Sequence, residues 1–214
     1  MISANRNIRR LLRYRNSLCK MQELGFETVY SYNLGRETGV SPEQVRKDFS
    51  QFGIKGNKKG GYNINELLIT IREIFRKDEL QKVIVVGVGN IGNAILQYKG
   101  FQKNMIEIVA SFDIDPTKYK KKKLPVPVYS LDKLPKFVVE HKINTAIMTV
   151  PERVAQDVAD LLIEAGIKGI MNFAPTVLKV PPHIHIVNIC IGHELESLIY
   201  HSLQMGNNGR GKGS

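Results

Sequence analysis

The sequence predicts an α/β protein of two domains, an N-terminal winged helix-turn-helix and a Rossmann-type domain built on a parallel sheet. A capped helix with a basic outer face, followed by a basic glycine-rich segment, predicts the first domain. Apolar strand-like runs that alternate with helical stretches from Lys82 onward predict the second. Glycines spaced G-x-G-x-x-G after the first of those runs are typical of a Rossmann turn.

Length and composition fit a globular protein that attracts polyanions. The chain has 214 residues, 43% of them hydrophobic and 24% charged, which suits one large domain or two small ones. The formal net charge is +11, and residues 1–60 carry 12 Lys and Arg against 5 Asp and Glu, a balance of +7. Nucleic acid is therefore the first candidate partner, and we expect it to bind the first domain.

Cysteine usage and hydropathy indicate a cytoplasmic protein without membrane contact. Cys19 and Cys190 lie far apart and neither belongs to a C-x-x-C pair, which argues against a zinc site or a disulfide framework. The first residues are too polar for a secretory signal. No apolar run approaches the roughly 20 residues needed to span a bilayer.

We expect the chain to divide into four segments. The winged helix-turn-helix occupies residues 1–79 and the Rossmann-type domain residues 80–190. A last helix covers residues 191–205. The polar, glycine-rich tail at 206–214 is expected to be disordered.

The first helices of the chain are recognised by their spacing and their stops. Apolar residues at helical intervals predict a helix over 5–24 that ends at Gly25. A short helix over 31–38 follows and stops at Gly39. A further amphipathic helix, within 63–77, links this block to the next.

The segment "SPEQVRKDFSQFG" begins with helix-start signals. Ser41 is a good N-cap, Pro42 suits the first helical position, and Gln44 completes a capping box. The following "GIKGNKKGGYNI" has too many glycines for a helix and predicts a tight hairpin. Short helix, turn, capped basic helix and basic hairpin together make a winged helix-turn-helix.

In such a domain the capped helix enters the major groove and the hairpin reaches phosphates or the minor groove. An alternative is that Arg46 and Lys47 only solvate a helix face. The expected DNA contacts are Ser41, Gln44, Arg46, Lys47, Ser50, Lys58, Lys59 and Tyr62.

The second block reads as repeated strand–helix units. Strands are predicted in "KVIVVGV", "IEIVASFDI", the start of "PVYSLDKLPKFVVEHK", "INTAIMTV", "IKGIMNF" and "HIHIVNI". Helices are predicted in "GNAILQY", in the rest of "PVYSLDKLPKFVVEHK" and in "RVAQDVADLLIEAG". Nearly all-apolar strands in such an order imply a parallel sheet that is covered on both faces.

The glycine turn is the first element of a predicted dinucleotide site. Gly87 permits the tight turn, Gly89 lets the backbone approach a pyrophosphate, and Gly92 lets helix and strand pack closely. The start of the following helix offers free N–H groups to phosphates. The turn residues expected to bind the cofactor are Gly87, Val88, Gly89, Asn90, Ile91 and Gly92.

An acidic residue at the end of the second strand indicates which cofactor binds. Asp113 is placed to accept hydrogen bonds from a ribose diol and would repel a phosphate there, which favours NAD(H) over NADP(H). Asp115 is an alternative ribose ligand. The lysines of 120–123 could receive the extra phosphate of NADP(H), although a solvated loop is the simpler interpretation.

Two later strand ends are expected to line the nicotinamide half, because ligands collect at the carboxyl ends of parallel strands. Proline turns there can also be purely structural. Tyr98, just after the glycine-turn helix, could approach the cofactor or be buried. The remaining expected contacts are Thr149, Val150, Pro151, Asn172, Phe173 and Ala174.

Residues typical of catalysis are missing, so we expect a sensor and no enzyme. His183 and His185 alternate on a predicted strand but have no third ligand at a suitable spacing, so no metal is expected. After the cofactor domain no substrate domain remains. The alternatives are a small NAD-dependent oxidoreductase and a regulator that senses another adenine-containing ligand.

Several segments resemble the Rex family of redox-sensing transcriptional repressors over nearly the whole chain. They are "VSPEQVRKDFSQFG", "KGGYN", "VGVGNIGNAIL", "FDIDP", "PVYSLDKL", "TVPERVAQDVADLLIEAGIKGIMNFAP" and "HELESL". The resemblance implies a homodimer that binds palindromic operators in double-stranded DNA when NADH is scarce, and that NADH releases. It also implies that the last helix, 191–204, is swapped across the dimer.

The resemblance also shows where this chain differs. The family commonly has an acidic residue before the swapped helix, paired with a basic residue on the first helix, and an aromatic residue after the acid. By position these sites are Cys190, Asn16 and Ile191 here. The resemblance therefore implies a switch whose contacts are weaker or different. Cys190 could make it sensitive to thiol chemistry, although a buried inert thiol is the simpler interpretation.

Overall fold

The structure, a computed structural model, describes residues 2–56, 60–75, 80–120 and 124–208. The chain separates into two compact units, Met1–Glu79 and Leu80–Ser214. Among the described residues no helix is both long and apolar enough to cross a membrane.

In the described part of the first unit there are four helices, and their starts and ends follow local sequence signals. They are α1 (Ile2–Glu23), α2 (Ser31–Thr38), α3 (Pro42–Gln51) and α4 (Ile64–Ile74). Gly39 ends α2 with a φ of 71°, a left-handed conformation that favours glycine. The Ser41 hydroxyl accepts the Gln44 N–H at 3.2 Å and caps α3, so the predicted N-cap is confirmed.

The helices of this unit surround one apolar core. The Tyr14 and Phe49 rings meet edge to face with centroids 5.5 Å apart, which joins α1 to α3. Its buried apolar residues are Leu11, Tyr14, Leu18, Val29, Leu34, Val45, Phe49, Ile64, Leu67, Leu68 and Ile71.

The predicted hairpin within 53–64 includes residues 57–59, which lie outside the described residues. The strand β2 (Tyr62–Asn63) pairs antiparallel with β1 (Thr28–Val29), which lies before α2 in the sequence. Buried Val29 anchors β1 in the core. Gly61, with a φ of 73°, lies so close to β1 that a Cβ would be 2.8 Å from the Val29 carbonyl oxygen. The predicted wing lysines Lys58 and Lys59 lie outside the described residues.

Only one of the two hydrogen bonds of the predicted capping box forms, the one from the Gln44 N–H to the Ser41 hydroxyl. The Gln44 side chain donates to the Asp48 carboxylate at 2.7 Å, so its amide is turned along α3 rather than back to Ser41. The reason is that Asp48 is a buried carboxylate, which needs donors because water does not reach it.

The second unit contains a six-stranded parallel sheet with the order β5-β4-β3-β6-β7-β8. The strands are β3 (Gln81–Val86), β4 (Ile106–Asp113), β5 (Val128–Ser130), β6 (Thr145–Met148), β7 (Gly169–Asn172) and β8 (His185–Asn188). Its helices are α5 (Asn90–Leu96), α6 (Thr117–Lys120), α7 (Leu134–His141), α8 (Ala155–Glu164) and α9 (Ile191–Asn208). The order reverses between β3 and β6, which is the topological switch point of a doubly wound sheet.

Both faces of the sheet are buried. Along β3, Ile84 and Val86 belong to one apolar cluster and Val85 to another, as the two-residue period of a strand requires. The predicted parallel sheet that is covered on both faces is therefore confirmed.

Two features near the end of the chain are exposed: the histidines at 183 and 185, and the apolar side chains of α9. His185 begins β8 while His183 lies in the turn before it, so the two do not share one strand face, contrary to the prediction. Within the described parts of the chain no three His, Cys, Asp or Glu side chains come together as metal ligands. Helix α9 leaves its apolar side chains exposed, with Ile191 62% and Leu198 65% accessible.

Candidate functional site

The glycine turn lies at the switch point of the sheet. Gly87 follows β3 with a φ of 94°, and a Cβ on it would be 2.8 Å from the carbonyl oxygen of Thr149, which follows β6. Both the backbone conformation and the close approach therefore require glycine. The turn thus lies where open α/β sheets bind their ligands.

The other two glycines of the motif have contrasting surroundings. A Cβ on Gly92 would collide with the Gly87 carbonyl oxygen and come within 2.8 Å of Thr149 Oγ1. The predicted role of Gly92 in close helix–strand packing is confirmed. A Cβ on Gly89 would have no atom within 4 Å. Gly89 is therefore not required by the packing of the protein itself, and a role in ligand approach stays a prediction.

Thr149 links the ends of β3 and β6 by hydrogen bonds. Its hydroxyl donates to the Gly87 carbonyl oxygen at 2.6 Å, and its N–H donates to the Val86 carbonyl oxygen at 2.8 Å. The sequence suggested Thr149 only as a wall of the cofactor site, and that contact stays a prediction. Its side chain also supports the conformation of the glycine turn.

Two carboxylates organise the loop after β4, and they do so differently. Asp113 accepts the Val88 N–H of the glycine turn at 2.7 Å and the Asp115 N–H at 2.9 Å. Asp115 accepts the Thr117 N–H at 2.9 Å and so caps α6. Because Asp113 touches the glycine turn itself, its position favours it as the ribose ligand.

Lys118 is a site residue that sequence reasoning missed. Its ammonium group donates to the Val88 carbonyl oxygen at 3.0 Å. The side chains of Asp113 and Lys118 therefore bind both the N–H and the carbonyl group of Val88. The only sequence signal for Lys118 was its proximity to Asp113. Of the predicted lysine run 120–123, residues 121–123 lie outside the described residues.

Asn172 holds the loop after β7. Its side chain is completely buried and donates to the carbonyl oxygens of Ala174 and Thr176 at 3.2 and 3.1 Å and to Asn188 at 2.9 Å. Its own oxygen accepts the Ala174 N–H at 2.9 Å. Asn172 therefore shapes the loop that carries Phe173 and Ala174, whose contacts with a cofactor stay predictions.

Tyr98 lies on the surface near the end of α5. Its ring is 61% exposed and meets Phe101 edge to face with centroids 4.9 Å apart. A Cβ on Gly100 would collide with this ring. The packing holds Tyr98 outward, so of the two interpretations of this residue the buried one is wrong.

Helix α3 presents a basic outer face in the first unit. Arg46, Lys47 and Ser50 are exposed. Arg46 donates to Ser31 of α2 at 3.0 Å and to Glu43 at 2.9 Å, so its guanidinium is oriented at the surface. Tyr62 differs, since it is half-buried and its ring packs against Phe49 of the core with centroids 5.0 Å apart.

A buried carboxylate joins α3 to α1. Asp48 accepts hydrogen bonds from Arg10 at 2.6 and 2.7 Å, from Tyr14 at 2.8 Å and from Gln44 at 2.7 Å. Burial disfavours its ionisation, but the hydrogen bonds from Arg10, Tyr14 and Gln44 outweigh burial and lower the pKa of Asp48. The bond to Asp48 raises the pKa of Arg10, so both groups stay charged.

Comparison with known proteins identifies the family. The family model "CoA binding domain" matches residues 78–176, and "Putative DNA-binding protein N-terminus" matches residues 4–50. The redox-sensing transcriptional repressor Rex of Anoxybacillus flavithermus is 42% identical over 202 residues, 93% of each chain. The chain belongs to the Rex family of redox-sensing transcriptional repressors. Rex of Pelotomaculum thermopropionicum is 38% identical over 197 residues, 92% of each chain.

Solved structures of a Rex-family repressor, RSP, have the same fold. At 32% identity RSP matches with a TM-score of 0.86 over 97% of both chains. RSP in complex with β-NAD⁺ and operator DNA matches with a TM-score of 0.87, and RSP with β-NADH with 0.84. The predicted fold class and family are confirmed, and the Rex relatives are transcriptional repressors, not enzymes.

Proposed function

We propose that this chain is a DNA-binding repressor that senses the NADH/NAD⁺ ratio. It binds palindromic operators as a homodimer when NADH is low, and NADH binding releases it. As a repressor it acts in the cytoplasm, where the operators are. The observation that carries the proposal is the match to RSP over 97% of the chain, because RSP has been solved with NAD⁺ and operator DNA and also with NADH.

The site geometry supports NAD(H) as the ligand. The turn at 87–92 would hold the pyrophosphate, since Gly89 leaves the backbone open to close approach. Asp113 would accept the hydroxyls of the adenosine ribose. The strand ends at 149–151 and 172–174, with Tyr98 just after the glycine-turn helix, would surround the nicotinamide half.

The DNA half of the proposal depends on α3. Its exposed Arg46, Lys47 and Ser50 would reach base edges in the major groove, and Ser41 and Tyr62 would lie beside the backbone. Lys58 and Lys59 would contact phosphates. The Gln44 side-chain amide donates to Asp48. Only the amide atoms that do not take part in this bond can contact a base.

The proposed switch is a population shift between two arrangements of a dimer. One winged helix-turn-helix reads only a half-site, so the spacing between two of them, about 34–36 Å or a multiple of it, decides operator binding. NADH must bind the DNA-incompetent arrangement better than the competent one. The reduced nicotinamide is uncharged and enters an apolar pocket more readily than the cationic oxidised ring.

The polar contact that the family resemblance implies is absent at the matching positions. Asn16 and Ile191 are exposed. Cys190 is half-buried with a free thiol, and its backbone carbonyl oxygen accepts the Glu194 N–H at 3.2 Å. We propose that the NADH response of this chain depends on other contacts between α1 and the second unit of the partner.

The decisive experiment measures DNA affinity with each form of the cofactor. A palindrome is selected from random duplexes with the purified protein, and its dissociation constant is measured with NAD⁺ and with NADH at saturation. The proposal expects binding with NAD⁺ and at least tenfold weaker binding with NADH. Equal affinity in both would contradict it.

Two controls separate the alternative functions. Steady oxidation of NADH with candidate oxidised substrates would indicate an oxidoreductase. Tighter binding of NADPH or of a CoA derivative than of NADH, measured by competition against NADH fluorescence, would indicate a regulator of another adenine-containing ligand.

A further inference from the structure

The glycine turn contains two successive peptide groups that the protein binds in different ways. The first joins Gly87 to Val88. Its carbonyl oxygen accepts the Thr149 hydroxyl at 2.6 Å, and its N–H donates to the Asp113 carboxylate at 2.7 Å. Side chains of the protein therefore occupy both polar ends of this peptide, and it has no N–H left for a ligand.

The second peptide group, which joins Val88 to Gly89, is bound at one end only. Its carbonyl oxygen accepts the Lys118 ammonium group at 3.0 Å. Its N–H belongs to Gly89, and among the described residues no acceptor binds this N–H. Gly87 and Val88 are buried, whereas Gly89 is exposed. The Gly89 N–H is therefore the first N–H of the turn that a ligand can reach.

The contact with Lys118 decides the direction of that N–H. A peptide group is planar and trans, so its C=O and N–H bonds point in opposite directions. With the Val88 carbonyl oxygen on Lys118, the Gly89 N–H points away from α6. A Cβ on Gly89 would meet no atom within 4 Å, so the turn is open there. In Rossmann turns the backbone at the second glycine approaches the pyrophosphate.

The backbone that carries Lys118 is fixed as well. The Asp113 carboxylate accepts the Asp115 N–H at 2.9 Å. The Asp115 carboxylate accepts the Thr117 N–H at 2.9 Å, and the Asp115 carbonyl oxygen accepts the Lys118 N–H at 3.0 Å. Lys118 is half-buried. Its ammonium group therefore reaches the turn from a backbone whose position is set by hydrogen bonds on both sides of Asp115.

We propose that Lys118 is a positioning residue of the dinucleotide site, which orients the Val88–Gly89 peptide so that the Gly89 N–H faces the pyrophosphate. This inference rests on the proposed function. Without the ammonium group the peptide is free to rotate and to turn its carbonyl oxygen toward the phosphates, where the negative groups repel each other. Lys118 acts through Val88 and makes no bond of its own to the ligand.

The test compares Lys118→Met with Lys118→Arg. Met is of similar length but has no donor, whereas Arg keeps a charged donor that can reach a carbonyl oxygen. Lys168→Met is the matched control, since it removes the charge of an exposed lysine of the same unit. Affinity for NADH is measured by its fluorescence, and affinities for ADP-ribose and adenosine by competition against NADH.

Lys118→Met is expected to bind NADH and ADP-ribose about tenfold more weakly, the factor that corresponds to one hydrogen bond from a charged group. Adenosine has no pyrophosphate and is expected to keep its wild-type affinity. Lys118→Arg is expected to recover most of the lost affinity. Lys168→Met is expected to match the wild type.

A second readout is the amide NMR signal of Gly89 in the ligand-free protein. In Lys118→Met this signal is expected to shift or broaden, because the peptide has lost the bond that orients it. In Lys118→Arg and in Lys168→Met it is expected to stay close to its wild-type position. A lysine that only contacts the phosphates would leave the signal unchanged in the absence of ligand.

Three results would overturn the inference. One is wild-type affinity of Lys118→Met for ADP-ribose. Another is weaker ADP-ribose binding with an unchanged Gly89 signal, which would make Lys118 a direct phosphate ligand. The third is an equal loss of adenosine affinity, which would place the lysine at the ribose. Thermal unfolding of the ligand-free variants shows whether any loss comes from the fold.

Failure of the proposed function would look different. If the wild type binds NADH but its DNA affinity does not respond, the proposed function fails, while ADP-ribose affinity and the Gly89 signal still test Lys118. A wild type that binds neither NADH nor ADP-ribose would overturn both. If both proposals hold, Lys118→Met needs about tenfold more NADH than the wild type to leave the operator.

Discussion

Gly89 and Gly92 belong to one turn, but the space around them differs. A Cβ on Gly92 collides with the Gly87 carbonyl oxygen, a backbone atom that cannot move without opening the turn, whereas a Cβ on Gly89 meets nothing within 4 Å. Gly89 also has an ordinary negative φ of −79°. The same substitution at the two positions should therefore separate stability from ligand binding.

We expect Gly92→Ala to lower the free energy of unfolding by about 1–3 kcal/mol, because overpacking strains the turn. Gly89→Ala is expected to lower the free energy of unfolding by less than about 1 kcal/mol, the cost of Ala at the N-cap of α5. It is expected to weaken NADH binding, because the added methyl would stand where the pyrophosphate would lie. Urea unfolding and NADH fluorescence titration measure the two effects. Gly89→Ala with wild-type NADH affinity would remove Gly89 from the site.

Asp113 combines a structural bond to Val88 with the expected ribose contact. Asp113→Asn loses a charge-assisted hydrogen bond, which is worth about 1.5–3 kcal/mol. We expect NADH affinity to fall at least tenfold, and the preference for NADH over NADPH to shrink because the charge that repels a 2′-phosphate is gone. Parallel fluorescence titrations with both cofactors measure this.

Asp115→Asn is the matched control for Asp113→Asn, since Asp115 lies in the same loop and caps α6. It is expected to bind NADH as the wild type does. The opposite pattern, with affinity lost in Asp115→Asn and kept in Asp113→Asn, would make Asp115 the ribose ligand.

At the scale of elements, the contact between α1 and α3 depends on one ionised carboxylate. The pKa of Asp48 is lowered in the folded protein, because hydrogen bonds from Arg10, Tyr14 and Gln44 outweigh the effect of burial. Its contribution to stability is therefore fully present above its unfolded pKa, about 3.9, and is lost as the pH falls through the lower folded value.

Asp48→Asn is expected to lower the free energy of unfolding by about 3 kcal/mol at pH 7, because it leaves Arg10 buried without its counter-charge. The difference from the wild type should begin to shrink below about pH 4, where the carboxylate of the unfolded wild-type chain takes up a proton, and should be smallest below the lower pKa of the folded state. Urea unfolding between pH 7 and pH 3 measures it, with exposed Glu37→Gln as the control. A difference that stays constant over that range would show that Asp48 is not ionised in the fold.

At the scale of the whole molecule, the exposed apolar face of α9 indicates that this protomer packs against another chain. The exposed residues Ile191, Leu195 and Leu198 recur on one side of this helix, beside Ile199. An exposed apolar face of this kind is typical of a protein–protein interface. It supports the proposed homodimer.

We expect Leu198→Asp to dissociate the dimer, because a charge would be buried in an apolar contact. Sedimentation velocity measures the mass, and operator affinity should fall as well since a single protomer reads only one half-site. Glu196→Gln, on another side of the same helix, is the control and is expected to remain a dimer. A Leu198→Asp protein that stays dimeric would move the interface away from α9.

Patterns among residues close together in the sequence predicted most of the helices and strands. The N-cap Ser41, the stop at Gly39 and the strand–helix alternation from Lys82 were correct, because capping, left-handed glycine and side-chain periodicity involve neighbours in the chain. The glycine motif predicted the turn after β3 for the same reason. The β1–β2 pairing and the orientation of Gln44 were missed, because each depends on a partner elsewhere.

The sequence by itself therefore determined the two-domain α/β class, the glycine turn and the charge that draws the first domain to DNA. Only the tertiary structure decided how distant groups meet. Asp113 binds Val88 25 residues away, and Arg10 binds Asp48 38 residues away. The physical reason is that a buried polar group must find a partner wherever the folded chain brings one, and that position follows from the topology and not from local spacing.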